Sequence, residues 1–121
     1  ASELRALADA ARYTGESELA ERSLNALRMR FPGTKQSSAA AFLLGRTLES
    51  RGAAREAEHY FTIYLNEDPR GEFASEALAG RMRAVAAVEG PAAAKPIALE
   101  YLRRYRGGVH AETARRLANG N

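Results

Sequence analysis

The turn-forming residues of this chain fall at a fixed interval, and that constrains its fold more than any other feature. Pro32 and Pro69 are 37 residues apart, and Arg106 lies 37 further on, in the equivalent turn. Gly15 and Gly52 keep the same interval, Gly90 follows one residue late, and Ala40, Ala77 and Ala114 repeat it between the breakers. A period of this size marks a repeat array. Each unit is one supersecondary element that cannot bury its apolar face alone and must stack on its neighbours.

Between the breakers the material is helical. Ala, Leu, Glu and Arg dominate, all strong helix formers, and β-branched residues are too few and scattered for a sheet. Helical spacing of apolar residues predicts seven helices. The first carries Leu4, Leu7, Ala8 and Ala11, begins after Ser2 as N-cap and stops at Gly15. The second spans about 16–30 with Leu19, Ala20, Leu24 and Leu27 inward, and Phe31-Pro32-Gly33-Thr34 ends it. The others are expected near 35–51, 53–67, 72–88, up to 105, and 110–118. Pro96 falls inside the sixth, where it removes a backbone bond, so either Pro91 starts that helix and Pro96 kinks it, or the regular helix begins only near Pro96.

The best-formed unit reads Ala41-x-x-Leu44-Gly45-x-x-Leu48, then Gly52, Ala57-x-x-x-Phe61 and Pro69. This pattern resembles the tetratricopeptide repeat, with 37 residues in place of the usual ~34. Leu4 to Pro32 and Gly90 to Leu102 are fainter copies. The resemblance implies an all-α, right-handed α-solenoid of about three helix pairs, over 1–34, 35–71 and 72–107, with a closing helix at 108–119. Small Gly45 and Ala57 would let paired helices approach, while Leu44, Leu48 and Phe61 fill the seam. The longer period and the Phe-Pro-Gly-Thr turn are similar to repeats of bacterial envelope proteins, such as the BamD-like assembly lipoproteins and the periplasmic Tol-Pal coordinator. The Arg- and Ala-rich style also resembles the repeat tails of envelope-stress and sigma-factor regulators.

Little in the chain points to catalysis. There is no cysteine, which excludes disulfides and thiolate metal sites. His59 and His110 are the two histidines, and no acidic spacing around them suggests a metal. Glu16, Glu18 and Glu21 read as carboxylates favouring the positive end of a helix, and Ser37 and Ser38 as helix caps. Gly107-Gly108 reads as a terminator, not a phosphate loop. Neither an enzyme nor a cofactor is expected. No apolar run has the length of a membrane span, and Ala1 in place of an initiator Met points to a processed or excised chain.

The formal charge of +3 is spread over interleaved acids and bases. Glu18/Arg22, Glu100/Arg104 and Glu112/Arg116 are spaced to pair along solvated faces. The run Tyr101-Leu-Arg-Arg-Tyr105-Arg106 has the residue types of a nucleic-acid contact. The two tyrosines, four apart, are nevertheless expected to face the last helix, so nucleic acid is a disfavoured partner.

The family resemblance implies a concave groove lined by the first helix of each pair. The residues facing it would be Arg5, Asp9, Arg12, Phe42, Arg46 and Glu49. Phe42 is expected either to anchor a bound peptide or to be buried between units. The implied function is a protein–protein interaction scaffold in a bacterial envelope or periplasmic complex. The second reading is a regulatory or oligomerisation region of a membrane-associated signalling protein.

Overall fold

Six helices follow one another, each packing on the next: α1 (Ser2–Arg30), α2 (Lys35–Ser50), α3 (Ala54–Glu67), α4 (Ala74–Glu89), α5 (Pro91–Arg104) and α6 (Ala111–Ala118). This computed structural model describes the backbone of residues 2–120 and the side chains of residues 15–120, and the described residues contain no strand. Besides the sequential contacts, α2 also reaches α4.

The break expected at Gly15 is not formed; α1 is one helix of 29 residues. Gly52 ends α2 with φ +83°, whereas Gly15 is not among the glycines of positive φ. One glycine in a helix interior costs only about 1 kcal/mol relative to alanine, and the strong helix formers Ala10, Ala11 and Arg12 on one side and Glu18, Leu19 and Ala20 on the other lie within a turn or two of Gly15. Glu16, Glu18 and Glu21 therefore lie within α1, away from the positive end of its dipole. Glu21 instead forms an ion pair with Arg51, just past α2.

Of two starts open for the helix around Pro96 the earlier is formed, and the cap of α2 differs from the one expected. α5 begins at Pro91, which follows Gly90 at φ +98°, and it runs through Pro96 without a late start. Ala92, whose carbonyl loses its helical donor to Pro96, is exposed, so water can replace the missing N–H. The cap of α2 is Thr34, not Ser37 or Ser38; its Oγ1 accepts from Ser37 N at 3.1 Å and donates to Phe31 O at 2.8 Å. Ser37 and Ser38 are buried behind it.

The core is organised around one ring. Phe61 of α3 is fully buried, and a Cβ added at Gly45 would come within 2.7 Å of it. A Cβ added at Gly80 would come within 2.5 Å of the same ring. Gly45 is on α2 and Gly80 on α4, so the ring fills a space that both glycines leave open. Phe42 lies beside it, with ring centroids 5.9 Å apart, and Tyr64 packs in turn on Phe42 at 5.7 Å. Thirty-seven residues on, the sizes are exchanged: Met82 stands in place of Gly45 and Ala98 in place of Phe61, both fully buried in one cluster.

The 37-residue period is also visible in hydrogen bonds. Phe73 N donates to Tyr64 Oη at 2.9 Å, and His110 N donates to Tyr101 Oη at 3.1 Å. Asp68 N donates to Tyr64 O and Tyr105 N to Tyr101 O. Gly71 N donates to Asp68 O, and Gly108 N to Tyr105 O. A Cβ at Gly71 would collide with the Tyr64 hydroxyl, and one at Gly108 with that of Tyr101. The turn after α1 has Leu27 and Thr34 at the matching places. Without a tyrosine hydroxyl there, threonine fits and caps α2 with its own side chain. Ala40, Ala77 and Ala114, the alanines at the same interval, are all buried.

Because neighbours on two sides confine Phe61, Gly80→Ala should lower stability by about 1–2 kcal/mol despite alanine's better helix propensity. Urea unfolding should show most of that loss relieved when Phe61→Leu is added, since the smaller side chain admits the methyl.

Candidate partner-binding face

The expected groove residues divide into three groups. Arg5, Asp9 and Arg12 lie outside the residues whose side chains are described. Phe42 is buried, with 1% of its surface exposed, so it is not a groove anchor. Its ring stacks on Phe73 at 4.6 Å with 2° between planes, which fastens α2 to the α3–α4 turn. The apolar stripe of α2 simply wraps far enough to include it, as an eight-residue window around Gly45 does not reveal.

Glu49 is half-buried and engaged: Arg83 of α4 donates to both its carboxylate oxygens, at 2.8 and 3.1 Å. That pairing, ahead of the opposing effect of burial, raises the Arg83 pKa above its usual value. The two residues are 34 apart in sequence, so no helical spacing rule connects them. Glu49 is thus a tether between α2 and α4 rather than a free ligand group.

Of the three described members of the set, Arg46 is the one that faces solvent. Its guanidinium lies 5.9 Å from the centroid of the Phe42 ring, and no carboxylate stands within ion-pair distance of it among the described residues. Three residues earlier, on the same side of α2, Leu43 is 43% exposed. Sequence reasoning passed over Leu43 because a leucine in a helix reads as core. The face therefore presents an unpaired cation, an exposed aliphatic side chain and a neutralised Glu49–Arg83 pair.

Other charged residues serve as struts. Arg28 of α1 donates to both oxygens of Glu67 at 3.1 and 2.8 Å and to Ser37 O at 2.7 Å, while Ser38 Oγ donates to Glu67 at 2.9 Å. Three helices meet there. His110 Nε2 lies 3.0 and 3.2 Å from the Glu76 oxygens, joining the start of α6 to α4. Glu100–Arg104 closes at 3.4 Å as its spacing predicts, whereas Arg116 turns to Thr113.

The Tyr101–Arg106 run is not arranged to grip a base. Tyr101 is 1% exposed, with its hydroxyl committed to His110, and Arg104 donates to Glu100 and to Pro69 O. Among the described residues no three His, Asp or Glu side chains gather where they could hold a metal ion. Among the described residues no helix is long and apolar enough to cross a membrane.

The Glu67 strut has a pH signature. The hydrogen bond from Arg28, assisted by Ser38 and opposed by burial, holds the Glu67 carboxyl below its ordinary 4.5. A carboxyl with a depressed folded pKa contributes stability above its unfolded pKa and loses it as pH falls through the folded value. Glu67→Gln should therefore destabilise the protein at neutral pH and flatten the acid limb of its urea midpoint. The comparison to make is wild type against variant at pH 7 and at about pH 3.

Scanned against protein-family models the chain matches none, and a search of curated proteins finds no match.

Proposed function

We propose that the chain is a protein–protein interaction scaffold of the tetratricopeptide kind, a right-handed α-solenoid that holds a partner's peptide or helix. The 37-residue recurrence of turn geometry and the sequential helix packing support this reading of the fold. The partner segment lies along the α2–α4 face and offers a carboxylate to Arg46 and an apolar side chain to Leu43. A bacterial envelope complex is the setting we favour, from the Phe-Pro-Gly-Thr turn and the length of the repeat.

The observation that carries the proposal is the pairing of Leu43 and Arg46. This cation has no carboxylate partner among the described residues and stays open to solvent beside an exposed leucine and above an aromatic ring. Aromatic and Arg groups in partly desolvated positions are the usual energetic centres of interfaces, and an apolar residue flanked by charge suits an amphipathic segment.

Selection of peptides from a random displayed library should return sequences with an acidic residue near a large apolar one. Arg46→Glu should weaken the selected peptides about tenfold or more, equivalent to ~1.4 kcal/mol, and Leu43→Ser should weaken them several-fold. Thermal unfolding of both variants should match wild type, because both positions are exposed. Unchanged binding by the double variant would show that another face is used.

A further inference from the structure

The strut at Glu67 is not repeated one period later. Its carboxylate, at the end of α3, is held from two sides: Arg28 of α1 donates to both oxygens, and Ser38 Oγ donates at 2.9 Å. Thirty-seven residues on, Ser75 stands for Ser38, Arg104 for Glu67 and Leu65 for Arg28. The serine is kept, but the carboxylate has become a guanidinium. The arginine that held it has become an apolar residue packed against the core. Arg104 and Ser75 instead line one open cavity of about 490 Å³, between the α3–α4 turn and the end of α5.

The charges around that cavity favour an anion. Arg104 is oriented by donating Nη2 to Pro69 O at 3.0 Å, and its guanidinium lies 5.2 Å from the centroid of the Tyr105 ring. Its contact with Glu100 is a long one, 3.4 Å, between neighbours on one exposed helix face, so the guanidinium has N–H donors to spare. Arg70 lines the same cavity and has no ion pair among the described residues, and the Ser75 hydroxyl makes no hydrogen bond among them. Glu72 is the acid in the lining, so two cations stand against one anion. That balance suits a singly charged, two-oxygen group, which an arginine can meet with paired N–H donors. A dianion would feel Glu72 more strongly.

We propose that this cavity binds a side-chain carboxylate from an acidic segment of a partner protein. Arg104 donates to it, Arg70 adds charge, and Ser75 donates as Ser38 donates to Glu67. The chain's own glutamate closes the turn in one unit, and a partner's glutamate or aspartate closes it in the next. The site uses none of the residues of the Leu43–Arg46 face and stands independently of it.

The probe is a tetraglutamate peptide blocked at both ends, with blocked tetraglutamine as the uncharged control at equal ionic strength. Proton–nitrogen correlation spectra follow the amides of Gly71 and Ser75 and the Nε–H of Arg104. Saturable shifts at these groups are expected with tetraglutamate and not with tetraglutamine. Arg104→Gln should weaken the peptide about tenfold and Ser75→Ala about threefold, the range for losing a charged and a neutral hydrogen bond. Arg103→Gln removes the same charge from an exposed neighbour outside the cavity and should leave affinity unchanged. Equal losses from Arg103→Gln and Arg104→Gln would overturn the proposal, because binding would then follow net charge alone. Tighter binding of inorganic phosphate, or of an alanine peptide through its free C-terminus, would overturn the side-chain assignment. Arg104→Glu places the residue of the preceding unit opposite Ser75 and should abolish binding; a peptide that still shifts Gly71 and Ser75 in that variant refutes the site.

Discussion

One aromatic ring sets the spacing of three helices. Phe61 can be buried only because α2 and α4 each present a glycine to it, at Gly45 and Gly80. Those two glycines forgo helix propensity, yet they bring the helices near enough for Phe42 to pack on the ring and for Tyr64 and Phe73 to pack on Phe42. Protein interiors are packed to nearly crystalline density, so a gap of one methyl on either side would be felt. The exchange of sizes at Met82 and Ala98 solves the same filling problem in the next layer with the large residue on the other helix.

Around that core the charged residues act as cross-braces. Arg28–Glu67, Glu49–Arg83 and His110–Glu76 each join helices that are distant in sequence, with separations of 39, 34 and 34 residues. Partly exposed pairs add modest stability, and their geometric effect matters more: they fix how one helix slides along another. The bidentate Arg–carboxylate contacts are directional as well as attractive. Arg46 has no such partner among the described residues, a state it shares with Arg22, Arg55 and Arg106, and it differs from them in lying over the Phe42 ring beside exposed Leu43.

Much of the architecture was legible in the sequence because glycine, proline and small residues mark physical necessities. Gly52 and Gly90 have the positive φ their positions imply, and Gly45 is where helices must nearly touch. Gly15 was misread because a glycine permits a turn without compelling one. Pro96 left two starts open for its helix, and the start at Pro91 is the one formed, with Ala92 exposed where the donor is lost. The candidate face was less legible. Phe42 and Leu43 are adjacent and both apolar, and only the rotation of α2 about its axis decides which is buried. Glu49–Arg83 and Arg28–Glu67 depend on tertiary neighbours that no local spacing encodes.

The tyrosine–glycine turn has a consequence for how such a chain can be lengthened or shortened. Tyr64 through Phe73 and Tyr101 through His110 are interchangeable junctions: the same hydroxyl, the same backbone donor and the same glycine recur in both. A 37-residue block cut at one junction and rejoined at the other would restore the same tyrosine hydroxyl, backbone donor and glycine. The turn after α1 is a different connector, since Thr34 could not stand beneath a tyrosine hydroxyl. Tyrosine and glycine therefore travel as a linked pair in this molecule, and the chain has an interior that can be counted in modules and a leading turn that cannot.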